Sequence, residues 1–438
     1  MFATNGQHGR NSVITFSAAG PLSKLLSVTH QTQPPCGRLP ATPPVARRGG
    51  TVSDSVGIWF IGARGSVATT TTVGSLAIAS GLGPRTGLVS ELPPVAQAQL
   101  PSLGRLVIGG HEVAGGCLTK RAETLAAAGV LPSDLVTALA DELASVDERI
   151  RPGVHHHDTD QRSTAQRIEA DLRRFREEHD LGRVIVVDVS STEPPTASTP
   201  ALDELARLEA ALDAGEAPLP ISSLYAYAAF RAGCPFVAFT PSPGPRLAAL
   251  AELAAETALP WAGSDGKTGE TLVKTALAPL FAMRALKVRS WSSLNLLGGG
   301  DGQTLADPAN AVSKTVTKAQ GLEAILGHQV DGPLHIDYVE DLGDWKTAWD
   351  MVSFEGFLGT RMSLQFTWSG CDSALAAPLI LDLVRLMSRA HEVGERGPIP
   401  ALGFFFKDPA ASDVHVLGEQ WNALVDWCAR LGAAGKTR

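Results

Sequence analysis

The feature that most constrains this chain is a repeated order of helix and apolar strand between residues 56 and 262. The opening run Val56–Ile61 is short and apolar, as in strands buried on both faces of a parallel sheet. Alternation at this spacing predicts a doubly wound α/β domain, in which helices cover both faces of the sheet. Three further units place a predicted helix before a predicted strand: 160–180 before 183–189, 224–232 before 235–239, and 247–255 before 260–262.

A glycine turn follows the first predicted strand directly. Gly62 and Gly65 lead towards a helix of small residues, which we predict over 71–80. Turns of this kind hold the phosphates of a dinucleotide, because glycine allows close backbone approach and the first N–H groups of the helix face the anion. The spacing is not the full GxGxxG pattern, so an ordinary tight turn explains these residues about equally well.

The pattern changes after Gly263, where the predicted strands alternate imperfectly. This predicts a second, α+β domain with an open mixed sheet, one face of which another subunit covers. Its last two strands are expected to join as a hairpin at Gly359-Thr360, and its last helix to pack back on the first domain. The predicted elements are helices over 269–286, 308–326 and 374–390, and strands over 288–297, 334–339, 354–358 and 361–368.

Composition argues against several classes of protein. The 438 residues are 44% hydrophobic and 19% charged, which is ordinary for a globular chain. A net charge of −8 argues against nucleic-acid or membrane partners, and no apolar run reaches the roughly 20 residues of a spanning helix. Five scattered cysteines without a CxxC pair indicate a reducing compartment, and we expect the cytoplasm.

Residues 1–50 are basic and contain no acidic side chain. An acid-free start that contains Arg and Ser is typical of an organellar transit peptide. We favour a disordered N-terminal extension or a start codon assigned too early, because the Ala-, Gly- and Arg-rich chain looks bacterial. In either case these residues lie outside the predicted fold.

A series of motifs follows the order found in the myo-inositol-phosphate synthase family, over roughly residues 56–410. The chain resembles this family, and its compact archaeal and bacterial members most. The motifs are 264–271 (SDGKTGET), 295–302 (NLLGGGDG), 313–318 (SKTVTK), 343–346 (GDWK), 371–383 (CDSALAAPLILDL) and 404–409 (FFFKDP).

The resemblance implies the domain organisation. Residues 51–264 together with 373–438 are expected to form a Rossmann-type NAD-binding domain. Residues 265–372 are expected to form an inserted α+β domain for catalysis and tetramerisation. A homotetramer that acts on a small sugar phosphate is therefore expected.

The resemblance also implies the reaction, an NAD-dependent isomerisation of D-glucose 6-phosphate to 1D-myo-inositol 3-phosphate. The open-chain sugar is oxidised at C5, the ketone acidifies the C6 hydrogens, the enolate closes on the C1 aldehyde, and C5 is reduced again. Such a site must hold a phosphate dianion, stabilise an enolate and an alkoxide, and move protons. Lysine suits these tasks as a positive charge and as a group whose pKa falls on burial.

Four lysines are the catalytic candidates by this resemblance. Lys314 and Lys318 lie four apart on one predicted helix, so both project from one face. Lys314 is expected to move the proton at C5, and Lys318 to bind phosphate or a developing oxyanion. Lys346, expected on a loop after a strand, would bind substrate, and Lys407 would face the C1 oxygen. The alternative for each is an ordinary surface lysine.

Three aspartates accompany the lysines. Asp265 matches an active-site aspartate near the nicotinamide, and Asp301 lies among glycines that could approach NAD or a metal. Asp372 is expected to orient a lysine or contact the cofactor. Each could instead belong to a turn or a helix start, but their joint occurrence argues against that alternative.

Cofactor contacts are predicted at two turns and at the aspartates. The second turn follows the strand 183–189, at the edge where open α/β sheets bind ligands. It departs from the family pattern, since Ser-Ser-Thr-Glu replaces the usual Ala-Asn-Thr-Glu. The candidates are Gly62, Ala63, Arg64, Gly65, Ser66, Ser190, Ser191, Thr192, Asp265, Asp301 and Asp372.

Two rival functions remain open at the level of sequence. An NAD(P)-dependent dehydrogenase of a sugar phosphate would accumulate reduced cofactor, and a non-catalytic paralogue would only bind NAD or the sugar phosphate. The complete set of four lysines argues against the paralogue. The sequence does not decide whether a divalent metal or a monovalent cation assists the reaction, and no metal ligand is assigned.

Overall fold

The computed structural model describes residues 53–298 and 322–434, in which the chain forms two sheets. The larger has seven strands in the order β11-β6-β5-β4-β1-β2-β3, and the smaller has four in the order β10-β9-β7-β8. The strands are β1 Val56–Ile61, β2 Leu106–Glu112, β3 Ile150–Pro152, β4 Arg183–Asp188, β5 Phe236–Ala238, β6 Pro260–Gly263, β7 Lys287–Leu297, β8 Leu334–Tyr338, β9 Trp345–Glu355, β10 Arg361–Cys371 and β11 Gly397–Pro398.

Helices cover the larger sheet on both faces. Residues 322–326 are also helical, and a 3-10 helix spans Pro400–Phe405. The helices are α1 Ser66–Ala79, α2 Pro93–Ala96, α3 Leu118–Ala127, α4 Ser133–Ala138, α5 Ala140–Asp147, α6 Gln161–Glu178, α7 Leu205–Asp213, α8 Ile221–Arg231, α9 Ala248–Glu256, α10 Glu270–Met283, α11 Asp372–Val393 and α12 Leu417–Ala434.

All pairings in the larger sheet are parallel, and the chain reverses its direction across the sheet between β1 and β4. One apolar cluster joins the strands to α1, α11 and α12, and a second joins them to α6, α8 and α9. The predicted doubly wound α/β fold is therefore confirmed. So is the prediction that the helix over 374–390 packs back on this layer, since Ile380 and Val384 of α11 belong to the first cluster.

Helix α1 begins at Ser66, five residues earlier than predicted. The threonines in its first half are weak helix formers, yet Thr71 and Thr72 are buried and their hydroxyls bond back to the carbonyls of Val67 and Ala68. Packing against the sheet therefore overrides propensity. The helix start moves up to the glycine turn, where its N-terminus can act on a ligand.

The smaller sheet is mixed, as predicted. Strand β7 pairs in parallel with β8 and antiparallel with β9, which forms a hairpin with β10. Phe281 of α10 packs on Trp291 of β7 in a small apolar cluster. One face of the sheet is thereby attached to α10.

The predicted hairpin bounds, however, are wrong. The first strand of the hairpin is β9, Trp345–Glu355, rather than 354–358, and the turn lies at 356–360. Leu358 and Gly359 both have positive φ there, at 57° and 75°. One face of β9 carries the charged residues Lys346 and Asp350. Because charged residues at these positions are more typical of a loop, the sequence pattern did not predict a strand there.

Within the described segments, no helix combines the length and apolar character that crossing a bilayer requires.

Candidate functional site

The glycine turn connects the ends of three strands. Gly62 has φ +84°, and a β-carbon there would lie 3.2 Å from the Cα of Ser190, which follows β4. The N–H groups of Gly62 and Ala63 donate to the carbonyl of His111 on β2, at 3.0 and 3.1 Å. Gly65 is the N-cap of α1 and offers no side chain of its own. The turn therefore presents bare backbone beside a helix N-terminus.

A cleft of about 660 Å³ opens at this turn, at the carboxyl ends of β1, β2 and β4. Its volume lies within the roughly 300–1,000 Å³ of organic ligand sites. Of the predicted cofactor residues, Gly62, Arg64, Gly65, Ser190 and Ser191 line the cleft.

The remaining predicted cofactor residues of the two turns lie close to the cleft. Ala63 is buried under the first turn, and Thr192 is buried beside the second. The hydroxyl of Ser66, at the start of α1, accepts a hydrogen bond from Arg121 at 2.8 Å. The structure thus gathers both turns at one cleft.

Glu112 lines the same cleft and was missed at the sequence level. One carboxylate oxygen accepts from the N–H of Arg64 at 2.7 Å, and the other from the N–H groups of Val113 and Ala114. In dinucleotide folds an acidic side chain beyond the glycine turn binds ribose hydroxyls. An acidic residue directly after an apolar strand could have identified Glu112 from the sequence. Strand β2 was not predicted, however, because two glycines interrupt its apolar run.

The backbone carbonyl of His111 holds the glycine turn by accepting the hydrogen bonds of Gly62 and Ala63. Its ring is buried, and the indole N–H of Trp59 donates to its Nδ1 at 3.0 Å, so the neutral ring carries its proton on Nε2. That nitrogen lies 3.2 Å from the carboxylate of Asp171. Burial lowers the pKa of His111. A rigid neutral imidazole therefore positions the carbonyl that binds the turn.

A chain of hydrogen bonds runs from the cleft to Asp265. The N–H and hydroxyl of Ser190 donate to Asp188, whose other oxygen accepts from the hydroxyl of Thr240 at 3.5 Å. The N–H of Asp265 donates to the carbonyl of Thr240 at 3.4 Å. Burial raises the pKa of Asp188 to about 6. The cleft and the predicted lysine site are therefore neighbours.

Two motif segments form a short antiparallel ladder next to that chain. Ser264 and Asp408 exchange backbone hydrogen bonds at 2.7 and 3.2 Å, and the N–H of Lys407 donates to the carbonyl of Asp265 at 2.7 Å. The ladder places the Lys407 ammonium 2.7 Å from the Asp265 carboxylate, which is largely buried. Residues 142 apart in the sequence thus form one ion pair.

A second lysine–aspartate pair lies at the start of α10. The Lys346 ammonium is 3.6 Å from one oxygen of Asp372, and the other oxygen accepts from the hydroxyl of Thr268 at 3.0 Å. Lys346 lies on β9, opposite Leu297 and Gly370, and not on a loop as predicted. Its position in a paired strand makes it more rigid than expected.

Two further lysines in this region were missed at the sequence level. Lys267 is 3% exposed and donates to Gln420. Lys274, one turn into α10, lies 2.6 Å from Glu270 and 3.3 Å from Asp350, and donates to the hydroxyl of Ser293. Both lysines line one small pocket with Lys407 and with the helical residues Leu322 and Ile325. Lys267 stood inside a quoted motif, whereas Lys274 follows an apolar helical pattern that gave no signal.

Asn295 also belongs to the site and was not selected from its motif. It is 1% exposed, and its amide has no hydrogen-bond partner in the described part of the chain. Asn295 pairs with Ala348, so it shares a sheet face with Lys346 two residues away. An unpaired buried amide is unfavourable, so Asn295 is a candidate contact for a ligand.

The remaining predicted residues, Lys314, Lys318 and Asp301, lie outside the described residues. No group of three or more His, Cys, Asp or Glu side chains that could hold a metal ion occurs within 53–298 or 322–434.

The residues of the cleft fit a dinucleotide. The glycine turn leaves room for a pyrophosphate, the α1 N-terminus offers N–H groups and a positive dipole end, and Glu112 offers acceptors for ribose hydroxyls. The two turns lie on opposite sides of the point where the strand order reverses, which is where open α/β sheets bind such ligands.

The chain is similar in sequence to inositol-3-phosphate synthases of other organisms. "Inositol-3-phosphate synthase 1" of Bacteroides thetaiotaomicron is 31% identical over 390 residues, covering 81% of this chain and 89% of the relative. "Inositol-3-phosphate synthase" of Trypanosoma brucei brucei is 34% identical over 241 residues, covering 52% of this chain and 46% of the relative.

Solved structures share the fold. The inositol-3-phosphate synthase of Caenorhabditis elegans superposes with a TM-score of 0.75 at 22% identity, over 86% of each chain. A myo-inositol-1-phosphate synthase-related protein of Thermotoga maritima gives 0.68 at 23% identity, over 86% of this chain and 98% of its own. The family model described as "Myo-inositol-1-phosphate synthase" matches residues 56–429. The chain therefore belongs to this NAD-binding family of synthases.

Proposed function

We propose that this chain converts D-glucose 6-phosphate to 1D-myo-inositol 3-phosphate, with NAD used catalytically. The observation that carries the proposal is that two lysine–aspartate pairs contact one turn of the chain: Lys407 pairs with Asp265, and Lys346 pairs with Asp372, which accepts from Thr268. A chain of hydrogen bonds connects Asp265 of this turn to the dinucleotide cleft. Family membership supports the same reaction.

The cleft residues hold and orient the cofactor in this proposal. The chemistry that NAD would supply in this site is reversible hydride transfer at C5 of the sugar. The glycine turn and the α1 N-terminus bind the pyrophosphate, and Glu112 binds ribose. The turn after β4 and the aspartates Asp265, Asp301 and Asp372 contact the nicotinamide half.

The start of α10 is the proposed phosphate site. Gly269 caps this helix without a side-chain hydrogen bond, so its first N–H groups can face an anion. The ammonium of Lys346 lies close by, through Asp372 and Thr268. Lys318 joins them by resemblance. The one acidic residue in the first turn, Glu270, is paired with Lys274 and does not oppose the phosphate.

The lysines stabilise the charge that develops on the sugar. Lys407 faces the C1 oxygen as it becomes an alkoxide, Lys314 moves the proton at C5, and the amide of Asn295 donates to a substrate oxygen. Asp265 holds the Lys407 ammonium in place before substrate arrives, so little reorganisation is needed during the reaction. Preorganised donors of this kind each contribute roughly 10²–10³ in rate.

Product analysis tests the function. Purified protein is incubated with glucose 6-phosphate and a small amount of NAD, and inositol phosphate is measured as periodate-released phosphate. We expect product in excess of the NAD supplied and no build-up of NADH. Stoichiometric NADH without inositol phosphate would identify a dehydrogenase, and binding without either product would identify a silent paralogue.

We also propose a homotetramer assembled through the outer face of the smaller sheet. Trp349 and Met351 point away from the face that carries Lys346, and they are 38% and 36% exposed. Exposed apolar side chains in a row on a strand are typical of an interface. Light scattering should give four times the mass of the chain, and Trp349→Asp should reduce it.

The remaining assignments rest on sequence. We propose 51–264 with 373–438 as the cofactor domain, 265–372 as the inserted domain, and the cytoplasm as the compartment.

A further inference from the structure

Lys267 is a buried lysine to which the proposed reaction gives no role. Its backbone N–H donates to the carbonyl of Phe405 at 2.8 Å, within the ladder that pairs Asp265 with Lys407. The preceding Gly266 packs so tightly that a β-carbon there would overlap the ring of Phe239. The backbone is therefore held on both sides, and the side chain is only 3% exposed.

The Lys267 ammonium has a neutral partner. It donates to the amide oxygen of Gln420, whose own amide nitrogen donates to the carbonyl of Val414 at 2.7 Å. The ring of Phe404 lies 6.0 Å away. In the described part of the chain no carboxylate lies within ion-pair distance of it. Burial without a compensating anion lowers the pKa of Lys267 to about 7.

The charged groups around Lys267 do not supply the missing anion, because most of the carboxylates already face another cation. The pKa of His415 is lowered, by burial and by Lys267 itself. Facing groups on the surrounding segments are Asp265 with Lys407 at 2.7 Å, Glu270 and Asp350 with Lys274 at 2.6 and 3.3 Å, Asp408 with Arg246 at 2.5 Å, and Asp413 near His415.

The pocket that Lys267 lines contains two other amino groups, Lys274 and Lys407, each already held by carboxylates. A third full positive charge would repel them across a poorly solvated space. The pocket itself, at about 20 Å³, has room for a water and not for a sugar phosphate, so the dianion binds beside it, at the start of α10. Its charge there reverses that balance, because it attracts all three ammonium groups. Ligand binding and protonation of Lys267 should therefore favour each other.

We propose that Lys267 takes up a proton from solvent when the phosphorylated sugar binds, so that its charge appears only with the ligand. Lys267 is then a charge-compensating residue beside Lys407, which is ion-paired with Asp265. This inference rests on the proposed function, since it assumes that a sugar phosphate dianion is the ligand.

Calorimetry measures the proton directly. Protein saturated with NADH, which cannot oxidise the ligand, is titrated with glucitol 6-phosphate, which has no aldehyde and cannot cyclise. The titration is made near pH 8, where the phosphate ester is already a dianion, in two buffers of different ionisation enthalpy. We expect uptake of roughly 0.5–0.9 proton per site, because a group with a pKa near 7 is mostly deprotonated there.

Two variants assign the proton to its residue. Lys267→Met should abolish the uptake and weaken binding by about tenfold or more. Lys407→Met is the matched comparison: it should weaken binding but keep the uptake, because Lys407 is ion-paired with Asp265. Undiminished uptake in Lys267→Met would overturn the proposal, and so would binding to the unsubstituted protein without any uptake. If the unsubstituted protein does not bind the ligand at all, the proposed function itself fails.

Thermal unfolding without ligand gives a second readout. The pKa of Lys267 is lower in the folded protein than the ordinary 10.5, so the unfolded chain binds more protons between about pH 7 and 10. The folded state therefore loses stability as pH falls through that range. We expect Lys267→Met to be more stable than the unsubstituted protein near pH 7, with the difference shrinking towards pH 10. A difference independent of pH would contradict a neutral buried amine.

Discussion

The dinucleotide cleft and the lysine site differ in how their polar groups are satisfied. In the cleft, the carboxylate of Glu112 already accepts three backbone N–H groups, and the ring of His111 has a partner on each nitrogen. In the lysine site, the amide of Asn295 has no described partner, and Lys267 has only a neutral one. The buried side chains of the cleft are therefore paired before its ligand arrives, whereas the lysine site contains buried side-chain groups that only a ligand would pair.

This difference shows that the unfavourable buried polar groups are located in the lysine site. A buried polar group without a partner costs about 1–3 kcal/mol, and Asn295 and Asp350 carry such groups on one face of the smaller sheet. The larger sheet, with apolar clusters on both faces, offsets that cost. A ligand that satisfies the unpaired groups gains binding energy that a complete site could not provide.

The largest expected effect tests the lysine side of this comparison. Lys407→Met should reduce turnover by about 10²–10³-fold or more, since it removes the charge opposite a developing oxyanion. Turnover is measured by periodate-released phosphate, and circular dichroism checks the fold. Lys287→Met, at the exposed start of β7, is the control and should keep normal turnover. A near-normal rate in Lys407→Met would remove this residue from the mechanism.

A substitution in the dinucleotide cleft should weaken cofactor binding and should not act on the chemical step directly. Gly62→Val should weaken NADH binding by about tenfold or more, because a branched side chain is strained at φ +84° and would press on Ser190. Fluorescence titration of NADH measures the affinity. Gly74→Ala, inside α1 with open space around it, should bind NADH normally. Equal affinities in the two variants would show that the turn does not cradle the cofactor.

The smallest expected effect is a change in the free energy of unfolding when Asn295 is replaced. It is the most direct test of the difference between the cleft and the lysine site. Asn295→Val should raise the free energy of unfolding by about 1–3 kcal/mol, because it removes an unpaired buried amide, while turnover falls. Denaturant titration measures the change. Asn295→Asp should instead destabilise, since it buries a carboxylate on the face that carries Asp350. If Asn295→Val lowers stability, the lysine site is as complete as the cleft.

Much of the fold could be predicted from the sequence, because the larger sheet repeats helix and apolar strand with clear periodicity. Strand β2 could not, since its second half contains Gly109, Gly110 and polar residues. The bounds of β9 were missed because one of its faces carries Lys346 and Asp350, which suit a ligand more than a strand. In these places the demands of the site obscured the local pattern.

The site itself was predictable only in part. The motif order identified Lys346 and Lys407 by resemblance, and the structure gives each an aspartate partner. Partnerships such as that of Lys267 with Gln420 join residues 153 apart, so no local pattern reveals them. Asn295 lay within a recognised motif, but its importance depends on the lack of a partner, which only the folded chain shows.

The ladder between 264–267 and 405–408 has a consequence for how the protein is made. Strand β1 and the glycine turn leave the ribosome early, and that part of the chain can begin to fold during synthesis. Lys407 emerges hundreds of residues later. A nascent chain, or a product of premature termination, that lacks these late residues also lacks the ammonium that pairs with Asp265, and would therefore be unable to turn over sugar. Catalytic competence is acquired only near the end of translation.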